Sequence, residues 1–199
     1  MLNVAVSLGR MDVDVQLVTT IGNDSLGHMV LRFLKRNHTG TDFIQISPDR
    51  QTSLALAFLD EAKKPVYTFY VETKVAENPS RPAMRAGDIL LYGSSFAIHP
   101  KTSPEVDVMI EHAKQADALR VYDPNIRKKC AFHVEGAHEK AMQRIAQADI
   151  VKFSDEDLIA LGSSAEQISL DFPDKFMIMT QGKHPVIFIL YTPEEMGLL

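Results

Sequence analysis

The prediction of the fold and of the ligand site starts from the stretch Tyr122-Asp123-Pro124-Asn125-Ile126-Arg127. It follows a short apolar run, Leu119 to Tyr122, that is typical of a buried strand. Pro124 fixes its own φ angle and favours an extended Asp123, so the turn after the strand is stiff. Ligands of open α/β sheets bind just beyond the carboxyl ends of strands. The acid, amide and arginine of this turn are therefore candidates to meet a hydroxyl-rich or anionic ligand.

Strands and helices alternate through the second half of the sequence. Apolar strand-like segments at 89–92, 119–122, 150–153 and 176–180 are separated by helical patterns, of which the one beginning at Ser103-Pro104 is well marked. Such alternation implies right-handed crossovers and a mostly parallel sheet covered on both faces. The predicted fold class is therefore α/β, with a doubly wound, mostly parallel sheet.

The composition of the chain argues against several classes of protein. The chain has 199 residues, 45% of them hydrophobic, which is enough for one domain with a substantial core. The net charge of −5 and the scattered Lys and Arg disfavour nucleic-acid binding. The single cysteine, Cys130, rules out an internal disulfide and suits a reducing compartment. With no apolar run near the ~20 residues of a membrane span, we expect a cytoplasmic protein that binds no membrane.

In the segment at about 43–71, the spacing of apolar residues changes from that of helices to that of strands. Residues 53–60 and 66–71 are strand-like, and a short polar link joins them, so an antiparallel hairpin is predicted. Both faces of these strands are apolar or aromatic, which an isolated hairpin cannot bury. We expect a small β lid here, within a single domain that spans 1–199, and a homodimer that forms through the lid.

Several motifs together resemble the ribokinase/PfkB-type carbohydrate kinases, and the fructokinase-like members in particular. The turn at 123–127 is similar to the family's Asp-Pro-Asn-x-Arg segment, and the order and spacing of the other motifs hold from residue 3 to about 190. These motifs are Asn3-Val4-Ala5-Val6, Gly22-Asn23-Asp24-Ser25-Leu26-Gly27, Ser154-Asp155-Glu156-Asp157 and Thr180-Gln181-Gly182-Lys183.

The resemblance implies an ATP-dependent sugar kinase that uses Mg²⁺ and transfers the γ-phosphoryl group to a sugar hydroxyl. The residues that it assigns to the sugar are Asn3, Tyr70, Asp123, Asn125 and Arg127. The residues that it assigns to the nucleotide are Lys152, Ser154, Thr180, Gly182 and Lys183. Asp157 is the metal candidate, although Ser154 and Asp157 replace the family's Asn and Glu. Val71 and Glu72 follow Tyr70 where kinases of 2-keto-3-deoxygluconate tend to carry arginine, which favours a neutral sugar such as fructose.

Each motif also has a plain structural interpretation. The 122–127 stretch could be a capped turn with a surface arginine, and Ser154 with Asp157 has the spacing of a capping box. Gly182 could be an ordinary turn glycine after a strand. Ala86-Gly87-Asp88 is similar to part of the family's Gly-Ala-Gly-Asp, but it leads into a strand and is interpreted as a turn.

The family's catalytic base and anion hole lie in an Asp-x-x-Gly-Ala-Gly-Asp segment that this sequence does not contain. We therefore expect a partial ribokinase-like domain, truncated at both ends and inactive as it stands, with no catalytic residue assigned. A non-catalytic fragment that binds sugar, nucleotide or a partner is an alternative. A nucleoside kinase or a 2-keto-3-deoxygluconate kinase of the same superfamily is another.

Overall fold

The computed structural model describes residues 1–59, 65–70, 79–126 and 136–190. The chain divides into two compact units, Met1–Pro82 and Ala83–Leu199, and each is described by itself. Within the described ranges, no helix is long and apolar enough to cross a membrane.

The first unit begins with two helices and a short parallel sheet. Its elements are α1 (Leu2–Arg10), β1 (Thr19–Gly22), α2 (Ser25–Arg36) and β2 (Ile44–Ser47). β1 and β2 pair in parallel, with Thr19 opposite Ile44 and Gly22 opposite Ser47. α2 begins after Asp24, whose carboxylate caps it by accepting from the Gly27 amide. A small core that includes the fully buried Leu34 holds the sheet and helices together.

The predicted hairpin is confirmed. β3 (Leu54–Leu59) and β4 (Pro65–Tyr70) pair antiparallel, with Leu54 opposite Tyr70 and Leu59 opposite Pro65. The expected lid range of 43–71 is thus split, because β2 at its start joins β1 and the hairpin begins only at Leu54. Whether the hairpin serves as a lid stays a prediction.

The second unit carries the larger sheet. Its elements are β5 (Ile89–Gly93), α3 (Ser94–Ile98), α4 (Ser103–Gln115), β6 (Leu119–Asp123), α5 (Ala137–Gln147), β7 (Ile150–Ser154), α6 (Asp155–Leu161), α7 (Ala165–Asp171), β8 (Phe176–Gln181) and β9 (His184–Leu190). The strand order is β5-β6-β7-β8-β9. The first four strands are parallel, and β9 turns back antiparallel to β8. The predicted α/β class with a mostly parallel sheet is confirmed.

The core of the second unit lies between this sheet and its helices. Tyr122, Val151, Phe153 and Met177 supply the sheet side and are at most 1% exposed. The parallel strands β5 to β8 end in the same direction, and their buried side chains belong to one packed core. The rigidity that such packing gives fixes the positions of the polar side chains at the strand ends.

A fully buried arginine joins the three helices α3, α4 and α5. Arg144 Nε donates to the Ala97 carbonyl at 2.8 Å, and a terminal nitrogen donates to the Ser103 carbonyl at 2.9 Å. Its guanidinium also pairs with Asp107, which binds Lys140 as well. A buried charge is tolerated only when it is paired and hydrogen-bonded in this way. Arg144 is therefore a structural residue of the helical layer.

Candidate functional site

The carboxyl ends of β5 to β8 meet at one edge of the sheet, which we call the carboxyl edge. The register places Gly93 of β5 opposite Asp123 of β6, and Ser154 of β7 opposite Thr180 of β8. A Cβ atom added to Gly93 would lie 1.8 Å from the Asp123 carbonyl oxygen, so only glycine permits this approach. The residues predicted from three separate motifs thus lie on neighbouring strand ends.

At the carboxyl edge, the Asp157 carboxylate accepts three hydrogen bonds from Ile126 and Ser154, an arrangement that we call the lock. Asp157 is 1% exposed, in the first turn of α6. Its Oδ1 accepts from the Ile126 amide at 2.6 Å, and its Oδ2 accepts from the Ser154 amide at 2.8 Å and the Ser154 hydroxyl at 2.6 Å. The Ser154 hydroxyl in turn accepts from the Asp157 amide, which completes a capping box. The structural interpretation of this pair is confirmed, and the carboxylate also fixes the turn after β6.

The lock limits what Asp157 can do for a metal. An ionised carboxylate has about four lone-pair directions, and hydrogen bonds within the chain occupy three of them. Across the described residues, no group of three or more His, Cys, Asp or Glu side chains is arranged to hold an ion. The role of Asp157 as a metal ligand stays a prediction.

Asp123 and Lys152 form an ion pair on adjacent strands. Lys152 Nζ lies 3.4 Å from Asp123 Oδ1, and the two side chains are 33% and 19% exposed. Burial raises the pKa of Asp123 above its ordinary value, Lys152 opposes this, and the negative charge of Asp157 adds to it. The pair therefore places a partly desolvated acid beside a partly exposed cation at the carboxyl edge.

The other half of the Asp-Pro-Asn turn is only partly described. Pro124 is buried, whereas Asn125 is exposed and has a φ of +42°. Positive φ is uncommon outside glycine, and asparagine tolerates it better than most residues. Arg127 lies outside the described residues, and its contact with the sugar stays a prediction.

The predicted nucleotide residues of β8 lie at the far side of this edge. Thr180 Oγ1 donates to the Phe153 carbonyl at 3.1 Å, which ties β8 to β7. Gly182 and Lys183 form the two-residue turn between β8 and β9, where Gln181 pairs with His184. Gly182 has a φ of +56°, so the turn requires glycine there whatever else it binds. Both turn residues are exposed.

Two predicted sugar residues belong to the first unit. Asn3 is exposed in the first turn of α1. Tyr70 ends β4 and is 60% exposed. The position of each residue within the first unit does not test its contact with the sugar, which stays a prediction for both.

One feature of the carboxyl edge was not expected from the sequence. Ser94, directly after β5, has a φ of +62°. Strained backbone of this kind concentrates at functional sites. The dipeptide Gly93-Ser94 after an apolar strand is the signal that could have pointed to it, because glycine at a strand end often marks close backbone approach.

The sequence matches the family model of pfkB family carbohydrate kinases over residues 1–193. A probable fructokinase-4 of Arabidopsis thaliana is 31% identical over 174 residues, which are 81% of this chain and 51% of the plant protein. The chain thus spans about half the length of the curated relatives that it matches.

Solved structures share the fold of this chain. The fructokinase of Vibrio cholerae O395 in apo form gives a TM-score of 0.83 at 23% identity, over 95% of this chain and 68% of that chain. The form with fructose, ADP and calcium ion bound gives a TM-score of 0.82 at 23% identity, over 95% of this chain and 64% of that chain. At this identity the likeness shows the shared fold. Because the family model covers nearly the whole sequence, the chain belongs to the pfkB family of carbohydrate kinases.

Proposed function

We propose that this chain is the sugar- and nucleotide-binding part of a fructokinase-like enzyme, which transfers the γ-phosphoryl group of ATP to a hydroxyl of a neutral sugar. The observation that carries the proposal is the carboxyl edge, where the Asp123–Lys152 pair, Ser154 and Thr180 lie on consecutive parallel strands. Ligands of open α/β sheets bind at such an edge. The fructose and ADP that the Vibrio cholerae enzyme binds are the chemical class of ligand expected here.

Each residue has a chemically suitable task. The Asp123 carboxylate can accept hydrogen bonds from sugar hydroxyls, and Asn125 is exposed beside it. Lys152 supplies a positive charge of the kind that stabilises phosphoryl oxygens. Phosphoryl transfer depends mainly on positioning and charge stabilisation, which suits a rigid strand edge. The exposed turn of Gly182 and Lys183 is the proposed nucleotide contact on β8.

The proposal includes magnesium, but with at most one contact from Asp157. When bound, it would neutralise charge on the phosphate oxygens of the nucleotide. Magnesium is commonly held by one or two carboxylates together with substrate phosphates. Asp157 has one free lone-pair direction, so it can contribute at most one such contact without giving up the lock.

A homodimer through the hairpin is part of the same proposal. Leu56, Phe58 and Val66, which the register places on one face of the hairpin, are between 36% and 57% exposed. Apolar side chains grouped in this way commonly mark an interaction surface.

Calorimetric titration of the purified chain tests the binding function. We expect it to bind fructose and ATP, and Asp123→Asn to weaken fructose at least tenfold, about the effect of one charged hydrogen bond. Asp171→Asn is the matched control, because Asp171 is exposed at the end of α7 and should leave the fructose affinity unchanged. A chain that binds neither fructose nor ATP, or an Asp123→Asn variant that binds fructose like wild type, would contradict the proposal.

A further inference from the structure

The carboxylate of Asp24 joins the start of α2 to the segment that leads into the hairpin. Its Oδ1 accepts from the Gly27 amide at 2.7 Å and from the Thr52 hydroxyl at 2.9 Å. Its Oδ2 accepts from the Thr52 amide at 2.8 Å. The Thr52 hydroxyl also accepts from the Gly22 amide at 3.0 Å. These four hydrogen bonds close a ring between the 22–27 loop and Thr52.

Two glycines make the ring possible. A Cβ on Gly22 would lie 2.6 Å from the Arg50 carbonyl oxygen and 2.7 Å from the Thr52 nitrogen. A Cβ on Gly27 would lie 2.3 Å from the Gly22 carbonyl oxygen and 2.9 Å from the Thr52 hydroxyl. Real side chains do not tolerate such distances from backbone atoms. In this chain the Gly22-x-Asp24-x-x-Gly27 spacing therefore serves to bring Thr52 against the loop.

The hairpin begins two residues after this ring. β3 starts at Leu54, and its side chains beyond Leu54 are exposed, as are those of residues 66–70 in β4. Within the described residues, β3 and β4 form ladder pairs only with each other. A two-stranded hairpin has little stability of its own in water. Its direction must therefore be set mainly at its root.

We propose that Asp24 and Thr52 form a clamp that positions the β3–β4 hairpin within the first unit. Both residues act at the root of the hairpin, where the chain enters β3.

The charge of Asp24 strengthens the clamp. Hydrogen bonds from the Thr52 and Gly27 amides lower the pKa of Asp24 below its ordinary value. The carboxylate is therefore ionised at neutral pH, and hydrogen bonds to an ionised acceptor are roughly twice as strong as neutral ones.

Three variants separate the clamp from the other roles of these residues. Thr52→Val keeps the shape of the side chain but removes the hydroxyl, whereas Thr52→Ser keeps the hydroxyl and is the matched control. Asp24→Ser retains a good helix N-cap for the Gly27 amide, but its side chain is too short to reach Thr52 as well.

Hydrogen exchange of the full chain gives the direct readout. In Thr52→Val and Asp24→Ser we expect the amides of β3 and β4 to exchange about tenfold faster, while those of α2 keep their protection. Thr52→Ser should match wild type. The clamp is refuted if Thr52→Val exchanges like Thr52→Ser, or if α2 loses protection as much as the hairpin, which would indicate a general loosening of the unit.

Discussion

Asp157→Ala is the perturbation that tests most directly how the carboxyl edge is held. The substitution removes the carboxylate that joins the turn after β6 to the start of α6. The buried Ile126 amide and the partly buried Ser154 amide then lose their partners. The Ser154 hydroxyl is half-buried and can turn to water instead.

The expected loss follows from the two amides. A buried donor left without a partner costs about 1–3 kcal/mol, so two of them predict a loss of about 2–6 kcal/mol. This is a large part of the ~5–15 kcal/mol stability of a typical domain. Asp155→Ala is the matched control: Asp155 is exposed in the same helical turn, so its replacement should change stability by less than about 1 kcal/mol.

Urea unfolding followed by far-ultraviolet circular dichroism measures the difference, because the chain has no tryptophan for fluorescence. The measurement is made in a chelating buffer and repeated with magnesium. A ligand stabilises the native state only while it is present, so the structural lock predicts the same loss in both buffers. A loss below about 1 kcal/mol in chelator that grows with magnesium would refute the lock and identify Asp157 as a metal ligand.

Three further substitutions test interactions of the second unit. Burial raises the pKa of Asp123 in the folded state, so its ionisation destabilises the folded state above that pKa, and this effect fades as the pH falls towards the pKa of the unfolded state. Asp123→Asn should therefore raise the melting temperature at pH 7 and have little effect on it near pH 4. A difference in melting temperature that stays unchanged across this range would contradict the pKa shift. Tyr92→Phe should cost about 1 kcal/mol in urea unfolding, since its hydroxyl donates to the Arg144 carbonyl at 3.2 Å. Tyr122→Phe should be neutral or stabilising, since its buried hydroxyl has no hydrogen-bond partner among the described residues, and equal losses in the two variants would contradict this assignment.

Local patterns in the sequence determined much of the second unit. The strands at 89–92, 119–122, 150–153 and 176–180 were all predicted within a residue or so of their observed ends. Short apolar runs of this kind can be recognised in the sequence without knowledge of the neighbouring segments. The capping box of Ser154 and Asp157 was likewise predicted, because its spacing is a property of one helical turn.

Two short elements were not predicted. β2 at Ile44–Ser47 and α3 at Ser94–Ile98 each have too few residues to show a period. The antiparallel direction of β9 follows from the two-residue turn at Gly182 and Lys183, which leaves no room for a crossover helix.

The sequence by itself determined the α/β class, the family and the set of residues at the strand ends, because these depend on local period and on motif spacing. Only the tertiary structure decided what those residues contact. Asp157 binds the Ile126 amide, 31 positions away, and Asp24 binds Thr52, 28 positions away. No local pattern encodes such pairs, since they form only when parallel pairing and glycine contacts bring distant segments within hydrogen-bond distance.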